Sequence, residues 1–425
     1  ADRRLFMGPD CSYTQDYRRR FTDDELLCIL QNALVRTERL FDELKPDVLV
    51  GFICVSILDY VAYLFARRRG VRVLNLRPTR IGDRVTLGSI LNDPTPEFAV
   101  AFEQALTRGS RWSDEARAYV RRVREEHGRY EGVIKPSSRP ALAVNRQGDM
   151  PWVAAARVAR NYRRYRAGEG RRDNHVPDPL RALLFAAVVN PARAAGANRL
   201  LRERYVNGDW LRRTSYAFYP LHTEPEVSLL VYGRPYVNQI EIIRQLAISL
   251  PVDLVLVVKE HPWMVGKRSA DAYRKLLNIP RVHIARPDLE APELVQHAQL
   301  VSVVTGSVAL EAAMLGKPVI TFGDCPYNAL PRTMVRRCDD PRHLPGLVRD
   351  MLRDYRNDEA ALEAYVAATY ETSASVNLYS VLLNKKGVHA DRAASYDEEI
   401  QKLAAYVVSR AAATAPAPSE GAARW

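Results

Sequence analysis

Cysteine is scarce in this 425-residue sequence, and its placement suits neither a metal site nor a disulfide framework. The five cysteines stand singly in apolar segments, with no CxxC pair and no Cys/His ligand spacing. An odd and scattered set of this kind is typical of reduced thiols in the cytoplasm. We therefore expect no bound metal. We also expect a cytoplasmic location, either free or at the inner face of the cytoplasmic membrane.

Long apolar runs and the common nucleotide-binding motifs are missing too. No run of about 20 apolar residues occurs, so no membrane span is expected, and we find no signal peptide. The P-loop, GxGxxG and GxSxG patterns are absent, which argues against the enzyme classes that carry them. The chain begins at Ala1 without Met, and its first clear strand follows Lys45, so we expect a further strand–helix unit upstream.

Positive charge is abundant and concentrated in one segment. The formal net charge is +12, which favours an anionic partner. Residues 151–215 contain 14 arginines and five acidic residues, with tryptophan and tyrosine interleaved. Three interpretations of this segment are open. It forms solvated helix faces, a groove for an acidic glycan or glycolipid acceptor, or a peripheral membrane contact. No nucleic-acid-binding motif accompanies it, so we expect no nucleic acid partner.

Apolar runs alternating with amphipathic stretches predict an α/β fold. Strand, helix and strand follow one another over 47–55, 58–69 and 71–76, and a second α/β pattern begins near Ala217. Its strands are predicted at 227–231, 253–258, 282–284, 300–304 and 319–322. We expect an N-terminal domain at 1–215 with a basic helical segment at 94–215, a C-terminal domain at 216–375, a helical segment at 376–412 and a disordered tail at 413–425.

The stretch from Leu300 to Pro318 predicts a nucleotide pocket. A buried strand is followed by Thr305-Gly306-Ser307 and then by a helix that Gly316 would end. Unpaired N–H groups at the start of a helix attract anions, and Glu311, about one turn in, can reach ribose hydroxyls. Because ligands bind at the carboxyl edge of parallel sheets, we expect a nucleotide there.

Two more segments that follow strands are candidates for the same pocket. Lys259-Glu260-His261-Pro262 comes directly after the strand at 253–258, and its Lys and His can meet a phosphate while Pro262 fixes the chain. Gly323 and Tyr327 follow the strand at 319–322, where Tyr327 can stack on a base or a sugar. The alternatives are an ordinary surface loop for the first segment and a packed turn for the second.

Four residues are candidates for general acid or base catalysis. His222 and Glu226 lie in the segment that joins the two halves, where they would reach a cleft between domains. A structural hinge is the alternative for this segment. Asp59, at the start of a helix, and Asp16 are candidate bases from the N-terminal part.

Together these segments resemble the bacterial capsule polysaccharide biosynthesis family, which includes the inverting β-Kdo transferases that use CMP-Kdo. The matching residues lie between Tyr216 and Asn328. They are Phe218–Glu226, Gln239, Lys259–Pro262, Thr305–Ser307 with Glu311 and Ala312, Gly316–Val319, Gly323 and Tyr327. The N-terminal half matches the family loosely, and the Arg-rich segment matches none of its motifs.

The resemblance implies a GT-B-like α/β fold, in which two Rossmann-like domains face a cleft and the C-terminal one holds the donor nucleotide. The helical Arg-rich insertion would lie in or after the N-terminal domain. The resemblance also implies that His261 approaches the donor phosphate, that the Ser307 turn and Glu311 hold the nucleotide, and that an N-terminal carboxylate deprotonates the acceptor hydroxyl.

The function expected on this basis is a glycosyltransferase of surface-polysaccharide assembly, inverting and metal-independent. Its substrate would be a nucleotide sugar such as CMP-Kdo, with no further cofactor. One alternative is a UDP-sugar 2-epimerase, although the Gly-Gly-Glu-Glu turn and Arg-Pro-Glu segment usual in epimerases are replaced here by other residues. The other alternative is a non-catalytic assembly protein that binds an acidic glycan.

Overall fold

The computed structural model describes two compact units. The described residues are 22–52, 54, 56–92, 94–126, 151–168, 179–184, 188–224, 226–261, 264, 268–383 and 394–413. The first unit draws its residues from 1–32, 136–324 and 332–357, and the second draws its residues from 33–135, 325–331 and 358–425. Each unit is built around its own β-sheet.

Eleven strands and fifteen α-helices occur in the described residues. The strands are β1 (Val48–Phe52), β2 (Arg72–Pro78), β3 (Arg84–Gly88), β4 (Tyr205–Val206), β5 (Tyr216–Pro220), β6 (Val255–Lys259), β7 (Val282–Ala285), β8 (Leu300–Val303), β9 (Val319–Thr321), β10 (Val335–Arg337) and β11 (Ala374–Ser375). The helices are α1 (Asp23–Leu44), α2 (Ile57–Arg68), α3 (Pro96–Arg108), α4 (Ser113–Glu126), α5 (Pro151–Arg166), α6 (Pro179–Leu184), α7 (Asn190–Leu201), α8 (Gly208–Arg213), α9 (Gln239–Ser249), α10 (Ala270–Leu277), α11 (Ala291–His297), α12 (Val308–Met314), α13 (Leu344–Asp354), α14 (Glu359–Thr372) and α15 (Tyr396–Ala412).

The sheet of the first unit has seven strands in the order β10-β9-β8-β5-β6-β7-β4, and every neighbouring pair is parallel. From β5 the chain moves to β6 and β7 on one side, then returns to β8 on the other side and continues to β9 and β10. The strand order therefore reverses between β5 and β8. In open parallel sheets, ligands bind outside the carboxyl ends of the strands at such a reversal.

Burial on both faces explains the sequence of these central strands. The side chains of Tyr216, Phe218 and Tyr219 in β5 are fully buried, as are those of β8. Strands covered by helices on both faces are continuously apolar rather than alternating. Helix α12 also ends where the sequence predicts: Gly316 follows it at φ +71, a left-handed conformation that glycine adopts without steric cost.

The second unit has a mixed four-stranded sheet in the order β1-β2-β3-β11. β1, α2 and β2 form the predicted parallel unit, whereas β3 pairs with β2 and β11 in antiparallel fashion. α14 packs against α3 and α4, and the rings of Phe98 and Tyr365 meet edge to face at 5.1 Å between centroids. This packing joins the late helix α14 to the earlier helices α3 and α4 of the same unit.

The α/β class is confirmed, with a Rossmann-like strand order in the first unit, but the unit boundaries lie elsewhere than at 215 and 375. The basic segment contributes β4 to the seven-stranded sheet, through pairing with β7, so it belongs with the first unit. The strand predicted at 227–231 is wrong, because Ser228–Tyr232 forms a π-helical turn. β5 takes the place in the sheet that was expected for the first strand of this α/β pattern. A short apolar run does not by itself distinguish a strand from a helix.

Two features that would bear on function are not found in the part of the chain that the structure describes. No helix there combines the length and apolar character that crossing a bilayer requires. No three His, Cys, Asp or Glu side chains there are grouped closely enough to hold a metal ion.

Candidate functional site

Most of the predicted site residues meet at one edge of the seven-stranded sheet. His222 follows β5, Lys259 ends β6, Thr305 follows β8 and Gly323 follows β9. These four strands are neighbours in the order β9-β8-β5-β6. Because all four are parallel, their carboxyl ends share an edge, and the segments that follow them converge there.

His222 lies at the strand-order reversal and is held by the backbone around it. Its Nε2 accepts a hydrogen bond of 3.3 Å from the Val304 N–H, and its own N–H donates to Gln239 Oε1 at 2.8 Å. A Cβ added to Gly306 would lie 3.1 Å from the imidazole Cε1. The side chain is 7% exposed. The imidazole thus joins the end of β5 to the turn after β8, and the acid/base role of His222 stays a prediction.

A buried ionic cluster lies beneath this edge, which we call the Arg268 cluster; it comprises Arg268, Glu224 and Glu260. Arg268 Nε donates to Glu260 Oε2 at 2.6 Å and Nη1 donates to Glu224 Oε1 at 3.0 Å. Nη2 donates to the carbonyl of His222 at 2.7 Å. All three side chains are 3% exposed or less. Two carboxylates thus share one guanidinium, away from water.

Neutral groups add further hydrogen bonds to the Arg268 cluster. Gln239 Nε2 donates to Glu224 Oε1, and the Tyr273 hydroxyl donates to Glu260 Oε2 at 2.8 Å. Burial, together with the carboxylate of Glu260, raises the pKa of Tyr273, so the phenol stays a donor. The other oxygen of Glu260 accepts from the His261 N–H at 2.8 Å. The predicted contact of Glu260 with a donor is therefore revised, because its carboxylate positions His261 instead.

Lys259 and His261 flank Glu260 in the sequence. Lys259 is 6% exposed, and burial lowers the pKa of its ammonium, although the carboxylates of Glu260 and Asp288 oppose the shift. His261 is half-buried, and its carbonyl accepts from the Met264 N–H at 2.8 Å. Pro262, the last predicted residue of this segment, lies outside the described residues.

The turn between β8 and α12 is located as predicted. Thr305 is buried and its hydroxyl donates to the Ser228 carbonyl at 3.1 Å, so it serves the fold. Ser307 is half-buried and precedes α12 without capping it through its side chain. Glu311 is half-buried in the first turn of α12, a helix of only seven residues. Gly306, Ser307 and Glu311 are the parts of this segment with surface at the edge.

Gly323 follows β9 as predicted, whereas the side chain of Tyr327 is buried. Gly323 donates its N–H to the Val304 carbonyl at 2.9 Å, and a Cβ there would lie 2.4 Å from Thr305 Cγ2. Its role is close packing between the ends of β8 and β9. Tyr327 is fully buried in the second unit, where burial and Cys325 raise the pKa of its phenol. The predicted stacking of Tyr327 on a base or sugar is revised accordingly.

The three predicted carboxylate catalysts are placed as follows. Asp59 closes a capping box at the start of α2, where its Oδ2 accepts from the Ser56 N–H at 3.0 Å. This local role accounts for an acidic residue at that position. Glu226 Oε2 accepts from the Thr223 hydroxyl at 2.7 Å. Asp16 lies outside the described residues, and its role as a base stays a prediction.

Reasoning from the sequence missed Arg268 and the part played by Glu224. Arg268 lies in the short Gly266-Lys267-Arg268-Ser269 run before α10, which by sequence resembles any surface loop. A usable indication was present: Glu224 and Glu260 follow adjacent buried strands, and two carboxylates at one edge require a counter-charge. The sequence does not indicate which of the 62 basic residues provides that charge.

Comparison with known proteins finds a family match that includes the segments at this edge. Residues 210–368 match the model described as "Capsule polysaccharide biosynthesis protein". The chain is 28% identical over 148 residues to the capsule polysaccharide modification protein LipA of Neisseria meningitidis, covering 34% of the chain and 20% of LipA. It is 32% identical over 117 residues to protein FixF of Sinorhizobium fredii, covering 27% of each. The chain thus spans about a fifth to a quarter of the relatives it matches.

Solved structures resemble the chain more loosely. Thermosulfurimonas dismutans KpsC, β-Kdo 2,4 transferase, aligns at TM-score 0.39 and 15% identity and covers 75% of the chain and 78% of that structure. Thermosulfurimonas dismutans KpsC, β-Kdo 2,7 transferase, aligns at TM-score 0.37 and 15% identity and covers 90% of the chain and 96% of that structure. A UDP-GlcNAc 2-epimerase from Methanocaldococcus jannaschii aligns at 0.30 and 16%, covering 83% and 82%. The family model carries the assignment: over residues 210–368 the chain matches the capsule polysaccharide biosynthesis family, as its motifs predict.

Proposed function

We propose that this chain is a glycosyltransferase of bacterial capsule or surface-polysaccharide synthesis that binds a nucleotide-sugar donor at the carboxyl edge of its seven-stranded sheet. One observation carries the proposal. The family match at residues 210–368 includes the segments after β5, β6, β8 and β9, which the fold brings to the strand-order reversal. That position is where open parallel sheets bind nucleotides.

The residues at the edge suit a leaving nucleotide. The imidazole of His261 and the ammonium of Lys259 would stabilise the negative charge that develops on the phosphate when the sugar departs. Because Gly306 has no side chain, the nucleotide could approach its backbone closely. Ser307 and Glu311 provide polar groups for a ribose. The Arg268 cluster fixes His261 from below through Glu260, so the donor side of the site is preorganised.

The finer parts of the proposal follow the family resemblance. The donor would be CMP-Kdo, and attack by the acceptor hydroxyl on the anomeric carbon would break the bond to the nucleotide with inversion. A carboxylate base would take the hydroxyl proton. We propose a metal-independent reaction, in which protein cations rather than a metal offset the charge of the leaving CMP.

A thermal-shift screen of CMP, CDP, UMP, UDP, GDP and dTDP tests the proposal. A ligand that binds the folded state raises its melting temperature by mass action. At about 100 times Kd we expect a rise of roughly 5 to 10 °C for one of these nucleotides. The rise should fall below about 2 °C in His261→Ala and persist in His297→Ala, because His297 precedes β8 at the opposite edge of the sheet.

The outcomes of this screen separate the candidate functions. A shift with CMP that His261→Ala abolishes supports a CMP-sugar transferase. A shift with UDP would move the donor to a UDP-sugar and favour the 2-epimerase alternative if UDP-GlcNAc then epimerises without an acceptor. Glycan binding without a shift for any nucleotide would contradict the proposal and leave the non-catalytic binding protein.

A further inference from the structure

A wide arginine-lined groove opens beside the nucleotide edge, in the same unit. Its volume is about 1200 Å³, and its walls come from the end of α7, the loop around β4, α10 and the segment after β7. Five arginines line it: Arg199, Arg202, Arg204, Arg274 and Arg286. We call this the arginine groove. None of its residues belongs to the site described above.

Strand register places the arginine groove at the same edge of the sheet as the nucleotide site. Lys259 at the end of β6 is paired with Ala285 at the end of β7, and Ala285 is paired with Val206 at the end of β4. The residues that follow, Arg286 and Asn207, both line the groove. From β5 to β4 is three strand spacings, or about 14 Å. A chain lying along the edge could therefore occupy both sites.

The acidic residues that line the arginine groove offset only part of its positive charge. Arg286 forms two bonds of 2.9 Å with the carboxylate of Asp288. Among the residues that the structure describes, the guanidinium groups of Arg199, Arg202, Arg204 and Arg274 have no hydrogen-bond or carboxylate partner. Glu203 is the other acidic residue in the lining. Several unpaired guanidinium groups around one concavity attract carboxylates or phosphates.

The lining favours a carbohydrate over a lipid surface. α7 has the sequence NPARAAGANRLL, whose exposed residues include alanines and asparagine rather than the large apolar residues of a membrane-surface helix. Asn198 and Asn207 line the groove and offer amides to sugar hydroxyls. Burial, with the carboxylates of Glu260 and Asp288, raises the pKa of Tyr205 to about 12, so its phenol is a neutral hydrogen-bonding group in the wall.

We propose that the arginine groove binds the acidic oligosaccharide chain of the acceptor, through the carboxylates or phosphates on its sugars. This inference rests on the proposed glycosyltransferase function and adds the chemical class of the acceptor and the place where it lies. The growing end of such a chain would extend along the sheet edge from the groove toward the donor.

Binding of a defined acidic glycan to the full chain tests the inference. The probe is hexagalacturonate, with maltohexaose as the neutral control, titrated calorimetrically at about 50 mM and 300 mM NaCl. We expect hexagalacturonate to bind, maltohexaose not to bind, and the acidic glycan to bind at least tenfold more weakly at the higher salt. The variant Arg199→Gln/Arg202→Gln/Arg204→Gln should weaken binding of hexagalacturonate by tenfold or more.

A matched triple variant controls for net charge. Arg160→Gln/Arg163→Gln/Arg166→Gln removes the same charge from exposed positions of α5, and we expect its affinity to change by less than threefold. Equal loss in both triple variants, or no binding by wild type, would overturn the inference. So would binding to phosphatidylglycerol vesicles without binding to hexagalacturonate, which would favour a lipid surface. The nucleotide shift, measured on the same variants, reports on the proposed function separately.

Discussion

Replacing Arg268 by Met should lower the free energy of unfolding of the first unit by about 3–5 kcal/mol. The guanidinium is the shared partner of two buried carboxylates, Glu224 and Glu260, and also holds the carbonyl of His222. Without it, Glu224 stays in the interior with no counter-charge, and Glu260 keeps only its interaction with the neighbouring ammonium of Lys259. In thermal unfolding this corresponds to a fall of roughly 6 to 20 °C in the melting temperature.

An exposed arginine and a charge-free cluster provide the controls. Arg353 pairs with two aspartates at the surface, and Arg353→Met should cost about 1 kcal/mol or less. The triple variant Arg268→Met/Glu224→Gln/Glu260→Gln removes all three charges, so it should be more stable than Arg268→Met alone. A loss below about 1 kcal/mol in Arg268→Met would show that the cluster does not support the fold as described.

Replacing Gly323 by Ala should cost about 2–4 kcal/mol, because there is no room for a methyl group where β8 and β9 end. The added Cβ would lie 2.4 Å from Thr305 Cγ2 and 3.1 Å from the Tyr232 carbonyl oxygen. To escape, the Thr305 side chain must turn and release its hydrogen bond to the Ser228 carbonyl. Chemical denaturation with urea measures the loss.

A double-mutant cycle isolates this contact. Thr305→Ser removes the offending methyl and keeps the hydroxyl, so we expect Gly323→Ala/Thr305→Ser to recover about 1–2 kcal/mol relative to the sum of the single variants. The matched control is Gly346→Ala in α13, where a Cβ meets no atom within 4 Å. That change should be neutral or slightly stabilising. Additive costs in the cycle would contradict the packing described.

The sequence was most informative where periodicity and turn chemistry agree. The parallel strands β6, β7, β8 and β9, the helix α12 and its glycine end could be predicted because apolar runs alternate with short polar turns. The π-helical turn at 228–232 could not, since a short, largely apolar run suits either structure. Nor could the pairing of β4 with β7, which joins residues about 80 positions apart, or the packing of α14 against α3 and α4.

The convergence of the candidate site residues could be predicted from the sequence, but the contacts that each of them makes could not. The strand-end segments meet at one edge of the sheet, as predicted, because parallel strands bring their carboxyl ends together. A side chain faces solvent or is buried within the fold according to its contacts with residues that are distant in sequence. His222, Glu260 and Tyr327 are the examples: each carries suitable chemistry, and each is buried against groups that local sequence does not reveal. Arg268 supplies the counter-charge from 44 residues beyond Glu224.

Hydrogen–deuterium exchange with and without saturating nucleotide tests most directly whether this edge is the donor site. The nucleotide is the one that gives the largest thermal shift. Our account predicts slowed exchange in peptides covering 221–224, 259–261 and 304–309, and unchanged exchange at 298–300 on the opposite edge. Protection confined to other parts of the chain, with these three segments unaffected by bound nucleotide, would contradict it.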